Sequence, residues 1–196
     1  MKNTSIAFGH ALETEWGWKK GDVLTTFVPN CIDTPPLSWG ALWARGVVSP
    51  ANPAYSATEL AYQLKDSESK AILTQPALLE IAFEAGKIAG IPRNRILVMG
   101  DENCIEAQHF TDFIRLAEHV PKVRRRVQSP SDLAFIPYSS GTTGSAKGVC
   151  LTQQNMVANL LQLHTTQCEL HWNGGPDGKG DIVLAVLPFY HVYGEP

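Results

Sequence analysis

The sequence predicts an α/β fold, a mainly parallel sheet with helices on both faces. Three observations predict it. Apolar residues recur at helical spacing in some stretches and form short unbroken runs in others, the two patterns alternate along the chain, and turn residues mark each change. Parallel strands need helix-length crossovers, so strict alternation argues for a parallel sheet covered by helices.

Each element follows from local signals. Phe8, Leu12 and Trp16 share one helical face, and Trp18, Gly21 and Asp22 mark its exit. Residues 23–28 form a buried strand ended by Pro29 and Asn30. Pro35 and Pro36 fit only a first helical turn, so a helix carries Leu37, Trp39, Leu42 and Trp43 up to Gly46; the i, i+4 pair Trp39 and Trp43 reads as core. Val47 and Val48 make a short strand, Asn52 and Pro53 a turn, and Ser56 with Glu59 a capping box that opens a helix bearing Leu60 and Leu64. Residues 71–74 are the next strand. Leu78, Ile81, Ala82 and Ala85 then give a helix closed by Gly90, residues 96–99 a strand, residues 111–119 a short helix, and residues 132–138 and 182–187 two more strands.

Composition narrows the function. The chain has 196 residues, 44% hydrophobic and 18% charged, an ordinary globular balance that argues against disorder. A net charge of -3 leaves no basic footprint for nucleic acid, and Lys122, Arg124, Arg125 and Arg126, flanked by Pro121 and Pro130, read as a solvated connecting segment. Cys31, Cys104, Cys150 and Cys168 are widely spaced without C-x-x-C, which suggests neither a disulfide framework nor a zinc ribbon and fits a reducing compartment. His164, Cys168 and His171 have a spacing that could be taken for metal ligands, but no fourth ligand accompanies them and no metal site is assigned. Lys2, His10, Glu13 and Glu15 interrupt the start, so no signal-peptide core is present, and the apolar run 182–190 contains Pro188 and falls short of the roughly 18 residues of a membrane span.

The chemistry concentrates in residues 139–148, where Ser139, Ser140, Gly141, Thr142, Thr143, Gly144, Ser145, Ala146, Lys147 and Gly148 follow one strand and precede Val149, Cys150 and Leu151. Glycines let successive N–H groups converge on an anion, hydroxyls add donors, and Lys147 supplies a full charge. This is a phosphate cradle; a plain flexible linker would need neither the lysine nor the flanking apolar strands. The P-loop pattern G-x-x-x-x-G-K-[ST] is absent, because Lys147 follows Ala146 and precedes Gly148, and so is G-x-G-x-x-G.

The stretch from Tyr138 through Val149 resembles the signature of the adenylate-forming superfamily, Y-S-S-G-T-T-G-x-P-K-G-V. It matches at every specified position except Ala146, which replaces proline. Proline donates no N–H, so the change removes no phosphate contact and costs loop entropy of about 0.4–1 kcal/mol. Leu151, Thr152, Asn155, Ala158 and Asn159 resemble the family's L-T-H-x-N helix start, with Gln153 in place of histidine and Thr152 as N-cap of a helix bearing Met156, Leu160 and Leu163. Leu187, Pro188, Phe189, Tyr190, His191, Val192, Tyr193 and Gly194 resemble its L-P-x-[FY]-H-x-[YF]-G segment, and Lys20, Gly21, Asp22, Val23, then Pro29 and Asn30, then Asn52, Pro53, Ala54 and Tyr55 resemble the 4-coumarate:CoA ligase branch.

The resemblance implies an acid–thiol ligase that uses ATP, Mg2+ and CoA to turn an aryl or fatty acid into an acyl-adenylate and then a thioester. It implies that Ser139, Ser140, Gly141, Thr142, Thr143, Gly144 and Lys147 hold the β- and γ-phosphates and that His191 lines the acyl pocket; on its residues alone, a histidine in an apolar segment is more often a core residue. Phe189, Tyr190 and Tyr193 suit a flat aromatic acid. Family members continue with an aromatic-G-x-T-E segment, a ribose-binding aspartate, a hinge and a small C-terminal domain, so residues 1–196 are expected to be a partial N-terminal domain without turnover on its own. Two alternatives remain: an adenylation domain serving a carrier protein, and a non-enzymatic product that binds a full-length relative. A cytoplasmic or peroxisomal setting, no secretion and self-association through an exposed sheet edge are also expected.

Overall fold

The structure is a computed structural model that describes residues 1–100, 104–119, 128–139, 146–166 and 184–191. Helix α1 (Lys2–Trp16) precedes β1 (Val23–Phe27), and α2 (Thr34–Trp43) leads to β2 (Val47–Ala51). Helix α3 (Ala57–Asp66) crosses to β3 (Ser69–Thr74) and α4 (Leu79–Ala89) to β4 (Ile96–Val98). There follow β5 (Gln108–His109), α5 (Phe110–Leu116), β6 (Leu133–Phe135), β7 (Tyr138–Ser139), β8 (Lys147–Gly148), β9 (Leu151–Thr152) and α6 (Gln153–Thr166).

Among the described residues, seven strands form one sheet in the order β5-β4-β3-β1-β2-β6-β9, parallel except where β9 returns antiparallel beside β6. Alternation within the strands explains the two covered faces. Ala71, Leu73 and Leu97 point into a core built with Phe8, Leu12, Leu37 and Phe113 of α1, α2 and α5, while Ile72, Ile96 and Val98 enter a second core with Leu60, Leu64, Ala82 and Phe83 of α3 and α4. The fold class predicted from periodicity is the one observed.

The chain leaves β1 for β2 on one side, then crosses back through α3 to place β3 on the other. That reversal is a switch point, and in open α/β sheets ligands bind beside it at the carboxyl ends of the strands, here β1 and β3.

Local signals hold where they are self-contained. Ser56 caps α3 in a capping box with Glu59, and Thr152 caps α6 reciprocally with Asn155: the Asn155 N–H donates to Thr152 Oγ1 at 3.2 Å and the Thr152 N–H to Asn155 Oδ1 at 2.9 Å. Trp39 is a correction. It is 39% exposed, and Trp43 is half-buried. The buried side of α2 is made instead by residues such as Leu37, Ser38, Gly40 and Ala41, because α1 crosses very close: a Cβ on Gly40 would stand 2.8 Å from both the Ser5 carbonyl oxygen and the Phe8 ring. Such a crossing admits small residues and displaces a tryptophan to the rim. The expected strand 132–138 divides into β6 and β7, and residues 184–187, the described part of the expected strand 182–187, form no strand.

Candidate active site

Strand β6 ends at Phe135, and Ile136 and Pro137 lead into β7, which pairs with β8: Tyr138 lies opposite Gly148 and Ser139 opposite Lys147. The Val149 N–H donates to the Pro137 carbonyl at 2.8 Å, and β9 then returns along β6. The two arms therefore make one antiparallel ribbon that closes the base of the glycine-rich loop. Ser139 and Lys147 are brought together as exposed partners across it, whereas Ser140, Gly141, Thr142, Thr143 and Gly144 lie outside the described residues.

Helix α3 grips this ribbon twice. Near its middle, Gln63 Nε2 donates to Ser49 Oγ at 2.9 Å, Ser49 Oγ donates to the Ile136 carbonyl at 3.3 Å, and the Ile136 N–H donates to the Val48 carbonyl at 2.8 Å. At its end, Asp66 Oδ2 accepts the Tyr138 hydroxyl at 2.5 Å. Burial, foremost, and then the hydrogen bond to Asp66 push the Tyr138 phenol well above its ordinary range. Gly148 completes the support, since a Cβ there would meet Ile136 Cγ2 at 2.8 Å and Tyr138 Cζ at 3.1 Å. Asp66 carries no motif and stands far from Tyr138 in sequence, so no sequence signal marked it.

His191 sits exposed at the end of a turn in which its N–H donates to the Pro188 carbonyl at 3.0 Å. Its segment is tied to the carboxyl end of β1 by Asn30, whose Nδ2 donates to the Leu187 carbonyl at 2.8 Å and whose Oδ1 accepts the Phe189 N–H at 2.8 Å. Tyr55, which follows β2, has its phenol pushed up by burial first and then by Glu59 and Tyr190, so Tyr190 lies within its electrostatic reach. In the sequence Asn30 and Tyr55 stand out only as points of resemblance; in the structure both follow the carboxyl ends of their strands, and Asn30 holds His191's segment. Only β2 separates β1 from β6 in the sheet, a lateral spacing of about 10 Å, but β6 ends at Phe135 opposite Val48, which pairs with Leu24, so the root of the glycine-rich loop lies short of the carboxyl end of β1 where Asn30 anchors the His191 segment.

Open cavities lie at the other edge. One of about 620 Å³, lined by Trp16, Lys19, Lys65, Ser69 and Arg95 among others, contains none of the expected site residues. Another, of about 490 Å³, is bordered by Val23, Val47 and Leu133, the first residues of their strands, and touches only the base of the ribbon at Tyr138 and Gly148. Among the described residues, no three His, Cys, Asp or Glu side chains are grouped as a metal site would need, and no helix is long and apolar enough to cross a membrane. Cys168, His171 and the basic cluster at 122–126 lie outside the described residues.

Comparison with known proteins decides the family. The model of the AMP-binding enzyme family matches residues 1–195. The chain belongs to that family. This AMP-binding chain is 35% identical over 191 residues to 4-coumarate–CoA ligase-like 9 of Oryza sativa subsp. japonica, across 95% of the chain and 32% of that protein. It is 31% identical over 215 residues to a long-chain-fatty-acid–CoA ligase of Escherichia coli, across 98% of the chain and 37% of that protein. The crystal structure of a long-chain-fatty-acid-CoA ligase from Archaeoglobus fulgidus aligns with a TM-score of 0.80 and 26% identity, across 97% of the chain and 35% of that protein. The AMP-binding chain thus spans about a third of the length of these relatives. Family and fold agree with the resemblance drawn from the loop and the His191 segment.

Proposed function

We propose that the chain supplies the triphosphate-binding half, and one wall of the acyl pocket, of an ATP-dependent ligase that activates an aryl or fatty acid and passes it to CoA. The observation that carries this reading is the closed ribbon under the glycine-rich loop, with Ser139 opposite Lys147 and Tyr138 tied to Asp66.

In the reaction, a carboxylate oxygen attacks the α-phosphorus of ATP, the bond to the β-phosphate oxygen breaks, and pyrophosphate leaves. Negative charge accumulates on the departing β- and γ-phosphates. Ser139, Ser140, Gly141, Thr142, Thr143, Gly144 and Lys147 would hold those oxygens with N–H and O–H donors and one cation. The donor set fits a polyphosphate: Lys147 stands exposed across the ladder from a hydroxyl residue, on a base held rigid by three backbone or side-chain bonds from β2 and α3. Magnesium keeps much of its coordination on water and phosphate oxygen and would arrive with the nucleotide. His191 would border the reacting carboxylate, with Phe189 and Tyr190 offering apolar contact area to the acid's body. CoA sulfur would then displace AMP from the acyl carbon.

The test is hydroxylamine trapping of acyl-adenylate across cinnamic, benzoic, fatty and amino acids, with the chain fused to the complementary portion of one of its ligase relatives. Hydroxamates from aryl or fatty acids are expected. Activity confined to amino acids would overturn the CoA ligase reading in favour of carrier-protein loading, and no hydroxamate with any acid would favour the non-enzymatic alternative.

A further inference from the structure

We propose that Asn30 is the positioning residue of the acyl-binding segment: its side-chain amide adds one residue's worth of parallel pairing beyond β1 and thereby fixes the turn that presents His191. This rests on the reading of His191 as a wall of the acyl pocket.

The geometry is that of a ladder. In parallel pairing a residue donates to the carbonyl before its partner and accepts from the N–H after it. Asn30 does this with its side chain, donating from Nδ2 to the Leu187 carbonyl at 2.8 Å and accepting at Oδ1 from the Phe189 N–H at 2.8 Å. A second, longer contact runs from Nδ2 to the Ala185 carbonyl at 3.5 Å. The residue framed between the two short bonds is Pro188, which has no N–H to leave unmet. Its carbonyl then accepts the His191 N–H at 3.0 Å and closes the turn. Asn30 therefore orients the peptide groups on both sides of Pro188, and Pro188 starts the turn that ends at His191.

Residue type and place both matter. A carboxamide offers a donor and an acceptor on one carbon, the arrangement this pairing uses, so an ionised Asp keeps half of the pairing and Ala none. Asn30 itself is set by Pro29 at the exit of β1, in a short connection where the Thr34 N–H donates to the Cys31 carbonyl at 3.1 Å as α2 begins. The carboxyl end of β1 adjoins the switch point, beside which an open α/β sheet binds its ligand, so a segment pinned there enters the site in a fixed register.

The experiment compares wild type, Asn30→Ala and the near-isosteric Asn30→Asp by residue-resolved amide hydrogen exchange and by the NMR signals of the His191 ring, with benzoate as the probe acid. Asn30→Ala is expected to speed exchange of the Phe189 amide about tenfold while amides of β1 and β3 keep their rates, with Asn30→Asp in between. The His191 ring signals should shift in both variants, and the benzoate concentration needed to perturb them should rise. Unchanged Phe189 exchange in Asn30→Ala, or an equal rise throughout β1, would overturn the proposal. A wild-type His191 ring indifferent to benzoate would count against the acyl-pocket reading alone, since the exchange result still decides the clamp.

Discussion

The Tyr138 hydroxyl donates to Asp66 Oδ2 at 2.5 Å, joining the first strand of the ribbon under the glycine-rich loop to the last residue of α3. The phenol is half-buried and the carboxylate exposed, so the bond acts as a strut between a solvated helix end and a packed ring. Besides this bond, Tyr138 is held by its short ladder with β8 and by packing on the small core of Val23, Val47 and Ile136.

Tyr138→Phe and Asp66→Asn should each lower stability by about 0.5–1.5 kcal/mol, and a double-mutant cycle should show the two effects to be coupled. The pH dependence has a definite sign. Because the folded phenol holds its proton more tightly than the unfolded one, its contribution is complete below about pH 10, the ordinary tyrosine value, and is lost as pH rises toward the higher folded value. Wild type should therefore lose stability more steeply than Tyr138→Phe above about pH 10 in denaturant titrations. Parallel curves would remove the strut.

Gly148→Ala should disturb the loop from beneath. The new methyl group would meet Ile136 Cγ2 at 2.8 Å and the Tyr138 ring at 3.1 Å, and Ile136 is held on both sides by bonds to β2. Overpacking of this kind costs about 1–3 kcal/mol. The measurement is chemical denaturation together with the tyrosine ring signals: a shifted Tyr138 ring is expected, and a variant as stable as wild type with an unmoved ring would contradict the packing account.

How far the sequence revealed these features depended on range. Ser56 with Glu59, and Thr152 with its helix, were legible because both partners of each cap sit within one helical turn. The glycine-rich loop was legible because its chemistry is contiguous. Trp39 was misread because its exposure is decided by Gly9 of another helix meeting Gly40, which helical periodicity within α2 cannot register. Residues 184–187 were misread because an apolar extended run looks alike whether it joins a sheet or is docked by one side chain, here Asn30. Asp66 was invisible, since its partner Tyr138 is 72 residues away. The family resemblance supplied candidate roles for Ser139, Lys147 and His191, and the structure supplies what positions them.

The apolar surface of α6 should drive self-association. Val157, Leu160, Leu161 and Leu163 are exposed on one helix, and Leu184, Val186 and Leu187 are exposed as well. Apolar side chains exposed along one helix favour association. Sedimentation velocity should show concentration-dependent species, reduced in a Leu160→Glu/Leu161→Lys variant whose thermal midpoint stays near that of wild type. A strictly monomeric wild-type sample would show that these side chains do not act as a contact surface.

Lys147→Ala should separate chemistry from folding. The Lys147 side chain is exposed, and its pairing with Ser139 is made by the backbone, which alanine preserves. Substitutions at such positions usually change stability by no more than about 0.5 kcal/mol. In the proposed reaction Lys147 would face the leaving pyrophosphate, and the charge it meets would grow as the bond between the α-phosphorus and the bridging oxygen breaks. Losing one preorganised contact of this kind costs about 2.7–4 kcal/mol, or about 10²–10³ in rate. The comparison is the thermal midpoint of the 196-residue chain against ATP–pyrophosphate exchange in the fused, full-length form, for wild type and Lys147→Ala. An unchanged midpoint with a large drop in exchange is expected. Exchange at the wild-type rate would remove Lys147 from the mechanism, and a collapse of the midpoint would assign it to the fold of the ribbon.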